Sequence, residues 1–524
     1  MNPDEPAPLT PTAVGRSSLV LILSIGAAQA VGIVRELYLA AQVGLTGSLD
    51  AVLIALLLPT LIAGIAAGGA GGALIPVYLE ARSTIGREDA RRLAGTVAAW
   101  ISLVGIALAG IILVLAPVLI TISGPGLSQV DHDSATGYLR LLAPVVLFTV
   151  ISTMMRIVCQ AEGRFGSMAL GFVAGPLATL ATMLALWERL HLGALVVGTI
   201  VGSSATLAVF TVAAARAGAL PIPGLRADPR LRAWLRHAAP LTLSGGILEI
   251  RGVVDRAIAS LLGPGSVSAL RYALVLLQPL VQIGPAWASV IYPRLVQSTL
   301  GSAGGSLAEW AQRMLRQAIA IFVPIAVLIV AVAPLAVSVA YGRGEFTTQD
   351  LALTAGVLAG YAPIVVTFMM LPVLVGSHNA RRRGRLMLAG GALNMALGVA
   401  LSITLGRVLG AAGIALANAI SEIVVVVMFL IVLARSKDGF SLVPLARTGV
   451  LAAVAVAPFA LVAAALAWPM PEQDFIINAA TLIGVGVVGG VGYLAAAAVL
   501  GIPEVGGAVR AALELVPRVG RSRS

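Results

Sequence analysis

Charge and cysteine are scarce in this chain. Of 524 residues only 11% are charged and 5% aromatic, one is cysteine (Cys159), and Lys437 is the sole lysine among 34 basic residues. A soluble domain carries about 25% charged residues, so a large soluble domain is excluded. A single cysteine excludes an internal disulfide and a thiolate metal cluster. The chain has no Gly-Lys-Ser/Thr phosphate loop and no metal-spaced histidines; its four histidines (His132, His191, His237, His378) fall at helix ends or in loops. No catalytic constellation stands out, so a non-enzyme without a cofactor or certain metal site is expected, driven by an ion gradient, the membrane potential or a partner. Residues 1–16 carry Pro3, Pro6, Pro8 and Pro11 and lack the basic-then-apolar pattern of a cleaved signal.

Apolar runs fill the rest. Hydrophobic residues make up 59% of the chain and mean hydropathy is +1.00. Stretches such as 93–122 and 318–340 exceed the roughly 20 residues that a bilayer crossing needs. They are continuously apolar, whereas a β-barrel alternates. The expected fold is therefore all-α, a polytopic membrane protein of about fourteen transmembrane helices at 17–42, 50–79, 93–122, 136–160, 167–187, 192–215, 238–262, 268–293, 315–341, 351–376, 386–406, 411–434, 446–468 and 475–501. With the N-terminus inside, 25 basic residues sit in cytoplasmic segments, among them Arg82, Arg87, Arg91, Arg92, Arg226, Arg230 and Arg381 to Arg383. Only Arg189, Arg343 and Arg407 lie outside. The positive-inside rule then places both termini in the cytoplasm. The net charge of +11 reads as topology, not as nucleic-acid binding.

The sequence repeats on itself at an offset near 219. Ala143-Pro144-Val145-Val146 falls on Ala362-Pro363-Ile364-Val365, Gln160-Ala161 on Asn379-Ala380, Arg164 on Arg383, Met168 on Met387, Gly171 on Gly390, Glu36 on Asp255 and Gly44 on Gly263. Six helices separate the copies, so both point the same way. The expected organisation is a cytoplasmic tail (1–16), an N-lobe of six helices (17–216), a linker (217–237), a parallel C-lobe of six helices (238–434), two further helices (435–501) and a basic tail (502–524). Transporters of this build bind substrate between lobes.

Six arginines fall within or at the edge of these helices: Arg35, Arg140, Arg156, Arg251, Arg256 and Arg271. Their acidic companions are Glu36, Asp50, Glu249, Asp255 and Glu422. A charge at the bilayer centre costs about 2.5–3.5 kcal/mol on insertion scales, so these side chains face protein or water. Arg251 and Asp255 are four apart and can pair. Arg35, Arg251, Arg256 and Arg271 are candidates for a cationic cavity, where a guanidinium fork suits a diphosphate; Glu36, Asp50 and Asp255 would support them. Asp255, Asn394, Asn418 and Glu422 are candidates for coupling to sodium or a proton, against the plainer reading of structural pairs. The glycines at 64, 68, 69, 71 and 72 suit close helix contact.

Three stretches resemble the MurJ/MviN family of lipid II flippases, within the superfamily that also holds multidrug (MATE) and polysaccharide exporters. They are Val34-Arg35-Glu36 with Gly44, Leu49-Asp50-Ala51 and Leu58-Pro59; Val254-Asp255-Arg256-Ala257-Ile258-Ala259-Ser260 with Gly265 to Leu270 and Tyr272-Ala273; and Gly342-Arg343-Gly344-Glu345-Phe346-Thr347 with Tyr361-Ala362-Pro363. The resemblance implies transport of undecaprenyl-diphosphate-linked peptidoglycan precursor across the bacterial plasma membrane, with membrane lipids as further partners. It marks Arg35 as the first-helix cavity arginine and Asp50 as the acid opening the second helix, and it implies a lipid-tail groove beside the last two helices (435–501). The chain departs from the family where an Arg and a Glu-Gly are usual, at Ala63-Gly64 and Ala67-Gly68, and again at Leu274-Val275 in place of Asp-Arg. Arg251 or Arg271 would compensate. Alternatives are a flippase for another polyprenyl-diphosphate-linked oligosaccharide, a MATE-type drug antiporter, or a non-transporting scaffold.

Overall fold

The computed structural model describes residues 11–222, 224, 234–235, 250–283, 307–381, 383–436, 439–469 and 474–506. Among the described residues the helices are α1 (Pro11–Val43), α2 (Gly47–Ile85), α3 (Arg87–Ser123), α4 (Gln129–Ala161), α5 (Phe165–Leu190), α6 (Leu192–Arg216), α7 (residues 250–260), α8 (Ser266–Val281), α9 (Leu307–Tyr341), α10 (Thr348–Tyr361), α11 (Ile364–Ala380), α12 (Gly384–Leu409), α13 (Ala411–Ala434), α14 (Val443–Ala467) and α15 (Phe475–Val499), with a helical turn at 234–235. No strand occurs among the described residues. Lipid offers backbone groups no hydrogen-bond partner, so helices that satisfy their own suit this composition. Among the described residues, eleven spans are long and apolar enough to cross a bilayer, with α10 and α11 counted together, and 47–61 and 266–281 are shorter apolar helices. Of the fourteen expected spans, residues 238–249 and 284–293 lie outside the described residues.

Several helices begin earlier than their apolar runs. The helix expected from 136 starts at Gln129, because Ser128 caps it by accepting from the Asp131 N–H at 3.1 Å. α3 starts at Arg87, with Glu88 and Asp89 in a polar first turn, and α9 is already helical at Leu307, ahead of its apolar run, with Glu309 close behind. The helix expected at 351–376 is two, α10 and α11, parted at Ala362–Pro363, where proline supplies no N–H.

By its contacts the chain divides into two compact units. The first holds residues 1–38 and 46–264, the second 39–45 and 265–524. The boundary falls after α7, not in the linker at 217–237. Two local contacts explain it. The Gly126 N–H donates to Ser260 Oγ at 3.1 Å, binding the end of α7 to the loop after α3. The Glu345 N–H donates to the Ala41 carbonyl at 2.9 Å, binding the last turn of α1 to the loop after α9.

Within the first unit α4 is central, packed against α2, α3 and α6, while α5 pairs with α6. Within the second, α12 pairs with α13, and α9 carries both α14 and α15. Asn478 of α15 donates to Ser338 of α9 at 2.9 Å, the Tyr493 hydroxyl donates to the Ala320 carbonyl, and Arg316 pairs with Glu504. α15 and the segment after it are thus fastened to α9 at several heights.

The two units share backbone detail at an offset of 219. Ser128 and Thr347 cap α4 and α10 through the N–H groups of Asp131 and Asp350. Thr46 and Gly265 are the N-caps of α2 and α8, with Asp50 and Ala269 bonding back to them. His191 and Gly410 join α5 to α6 and α12 to α13 in matching conformations, φ 44° and 63°. Gly171 meets the Phe210 ring as Gly390 meets the Phe429 ring. Cys159 and His378 each reach a backbone carbonyl, those of Phe210 and Phe429.

Candidate functional site

The first unit holds most of the charged candidates. Arg35 lies late in α1, and its Nη2 meets Glu36 Oε1 at 2.7 Å. The Arg35 side chain keeps 23% of its surface exposed, whereas Glu36 is buried. Adjacent residues project about 100° apart on a helix, so the arginine must fold back to reach its neighbour. Asp50 is buried in the first turn of α2, where the helix N-terminus favours an anion. On α7, Arg251 Nε stands 3.6 Å from Asp255 Oδ2, with 11% of each side chain exposed. The i,i+4 pair expected from the spacing is formed. Arg256 turns its Nη1 to the Gly252 carbonyl one turn back, at 3.3 Å. Glu249 lies outside the described residues.

The second unit holds the rest. Arg271 is half-buried on α8 beside fully buried Tyr272. The Tyr341 hydroxyl donates to the Tyr272 carbonyl at 3.0 Å, and the rings of Tyr272, Tyr341 and Phe346 stack with centroids 4.8 to 6.2 Å apart. This cluster joins α8 to the loop of Gly342 to Thr347, two of the three stretches that carried the resemblance. Asn418 donates to the Ile414 carbonyl of its own helix at 3.0 Å. Glu422, one turn on, receives an unforeseen partner: Thr367 Oγ1 of α11 lies 2.9 Å from Glu422 Oε2 and 2.9 Å from the Ile364 carbonyl. The threonine has one proton for two acceptors. Ionised Glu422 draws it; protonated Glu422 donates instead and leaves it for the carbonyl. Asn394 is half-buried on α12. It belongs to the second unit and Asp255 to the first.

Sequence reasoning missed a hub at the end of the first unit. Glu162, with 5% of its side chain exposed, accepts from the Tyr78 hydroxyl at 2.8 Å and pairs with Arg82 at 3.0 Å and Arg87 at 3.5 Å. Arg87 also donates to the Ala217 carbonyl, and Arg91 to that of Leu220 at 2.9 Å. A glutamate after α4 among loop arginines was the available signal. The expected close helix contact fails at Gly64, which is exposed with open space where a Cβ would stand; the side chains at 66–73 lie outside the described residues. Among the described residues no group of three or more His, Cys, Asp or Glu is placed to hold a metal ion.

Residues 39–481, most of the chain, match the family described as "Lipid II flippase MurJ". The chain belongs to the MurJ family. A MurJ relative from Rickettsia prowazekii (strain Madrid E), described as a "Probable lipid II flippase MurJ", is 23% identical over 68% of this chain and 72% of its own length. A solved MurJ structure in an inward closed conformation superposes with a TM-score of 0.75 at 18% identity, covering 90% of this chain and 98% of that one. An inward-facing MATE transporter follows at 0.59 and 16%, covering 80% and 100%. At these identities the structures speak for the fold. MurJ membership and the apolar spans make this a multi-pass membrane protein of a transporter family.

Proposed function

We propose that this chain moves undecaprenyl-diphosphate-linked peptidoglycan precursor from the inner to the outer face of the bacterial plasma membrane by alternating access. The family match over residues 39–481 carries the reading. Intramembrane arginines support it: Arg35, Arg251, Arg256 and Arg271 offer guanidinium forks to a diphosphate, while Glu36, Asp50 and Asp255 keep them oriented and soluble in the fold. Arg35 leads, because its side chain stays partly accessible while its acid is buried. Glu422 and Thr367 offer a place for a coupling proton, and Asp255, Asn394 and Asn418 are the candidates for sodium.

The test is complementation of a strain depleted of its own lipid II flippase. Growth with the parent chain, none with Arg35→Ala and impaired growth with Arg35→Lys, all at equal membrane levels, is the expected result. Full rescue by Arg35→Ala would remove that residue from transport. A second reading follows from Ala63, Ala67, Leu274 and Val275, uncharged where the family resemblance implies charge: the carried lipid has a different glycan, such as an exopolysaccharide unit. Failure of the parent chain to rescue, with transport of such a unit in vesicles, favours that reading.

A further inference from the structure

α4 crosses the first unit with an arginine that this protein does not use to hold itself together. Thr149, Thr153, Arg156 and Gln160 are spaced four, three and four residues apart, so they share one face of the helix. Thr149, Thr153 and Arg156 are half-buried and Gln160 is exposed, while Met154, Met155, Ile157, Val158 and Cys159 are all buried. Nearer the start of α4 the same face is closed, with Ala135, Leu142 and Val146 buried. The face therefore opens only in the second half of the helix, the half with the polar residues.

Among the described residues Arg156 meets no hydrogen-bond or ion-pair partner. Four other arginines of the unit do hold structure. Arg82 and Arg87 are held by Glu162, Arg91 by the Leu220 carbonyl and Arg92 by Glu88. A membrane-spanning helix tolerates an arginine where water or a ligand meets it. The Thr153 hydroxyl donates back to the Thr149 carbonyl at 2.8 Å, so the Arg156 guanidinium and the Gln160 amide N–H groups are the donors this face offers to a bound anion. The repeat excludes a simple scaffolding need. At an offset of 219 the second unit has Phe368, Pro372, Val375 and Asn379, and α11 packs without a cation there.

We propose that Arg156, flanked by Thr149, Thr153 and Gln160, is an anion-binding strip on α4 that engages the diphosphate of the carried lipid, as distinct from its glycan. The strip sits toward the end of α4 that the positive-inside orientation places at the cytoplasm, where the headgroup loads. This inference rests on the flippase reading for the identity of its anion.

Binding of undecaprenyl diphosphate and of uncharged undecaprenol to the full chain in nanodiscs tests it, alongside thermal melting. A charge-assisted hydrogen bond contributes about 1.5–3 kcal/mol, so Arg156→Gln should weaken the diphosphate lipid by about tenfold or more. Undecaprenol binding and the melting temperature should stay at parent values, with Arg156→Lys in between. Equal diphosphate affinity in Arg156→Gln, or an equal loss for undecaprenol, overturns the strip and leaves the flippase reading standing. A parent chain that binds neither diphosphate lipids nor lipid II overturns both. Should Arg156→Gln melt early, Gln160→Leu decides: a several-fold loss for the diphosphate lipid alone supports the strip, and none refutes it.

Discussion

His191 is the one non-glycine residue with a positive φ among the described residues, at 44° with ψ −123°. Its counterpart Gly410 has φ 63° and ψ −146°. Both hold the tight passage from one helix into the next, and both donate their N–H to a carbonyl four residues back, at Trp187 and Gly406. A side chain in this region costs about 1–3 kcal/mol. His191 recovers part of that by packing edge-on to Trp187. His191→Gly should therefore stabilise the protein by about 1 kcal/mol, and Gly410→Ala should destabilise it by about 1–3 kcal/mol. Melting in detergent reads both; a fall for His191→Gly would mean that the aromatic contact outweighs the strain. Sequence alone marks position 191 only as a histidine between apolar runs. The backbone demand becomes legible when the repeat sets Gly410 beside it.

Helix starts were partly legible and helix partners were not. Ser128 and Thr347 each precede an aspartate by three residues, a pattern that supplies a cap. Hydropathy alone hid it, because the first turns of α4 and α10 are polar. Ser128→Ala and Thr347→Ala should each cost about 1 kcal/mol, with the larger loss at Thr347, where Asp350 also accepts from the Thr347 N–H at 2.9 Å in a full capping box. Equal or absent losses in melting curves would count against caps as the cause of the early starts. Contacts across helices are another matter. The i,i+4 pair of Arg251 with Asp255 could be read from spacing, but the bond of Thr367 to Glu422 spans 55 positions and that of Tyr78 to Glu162 spans 84. Nothing local announces such partners, because any hydroxyl on any facing helix would serve.

At the scale of the whole molecule, the class, the membrane habit and the offset of 219 were all present in composition and repetition. The division of the chain was not, because single long-range hydrogen bonds such as Gly126 with Ser260 and Glu345 with Ala41 leave no compositional trace. Orientation has its own test. Reporter tags inserted at Arg226 and at the C-terminus should be cytoplasmic, and one near Asp131 should be outside. Ends on opposite faces would require an odd number of crossings and break the charge argument.

The matched caps, glycine contacts and reversed turns also make each half a control experiment for the other. In a scan of every substitution, tolerance at a position in 128–216 should forecast tolerance 219 residues further on wherever the residue serves only the architecture. Gly171 and Gly390, each facing a phenylalanine ring, should both refuse larger side chains. Where the forecast breaks, one copy has acquired a duty the other lacks. Arg156 against Val375, and Glu422 against Ser203, are the pairs at which selection for growth should treat the two halves most unequally.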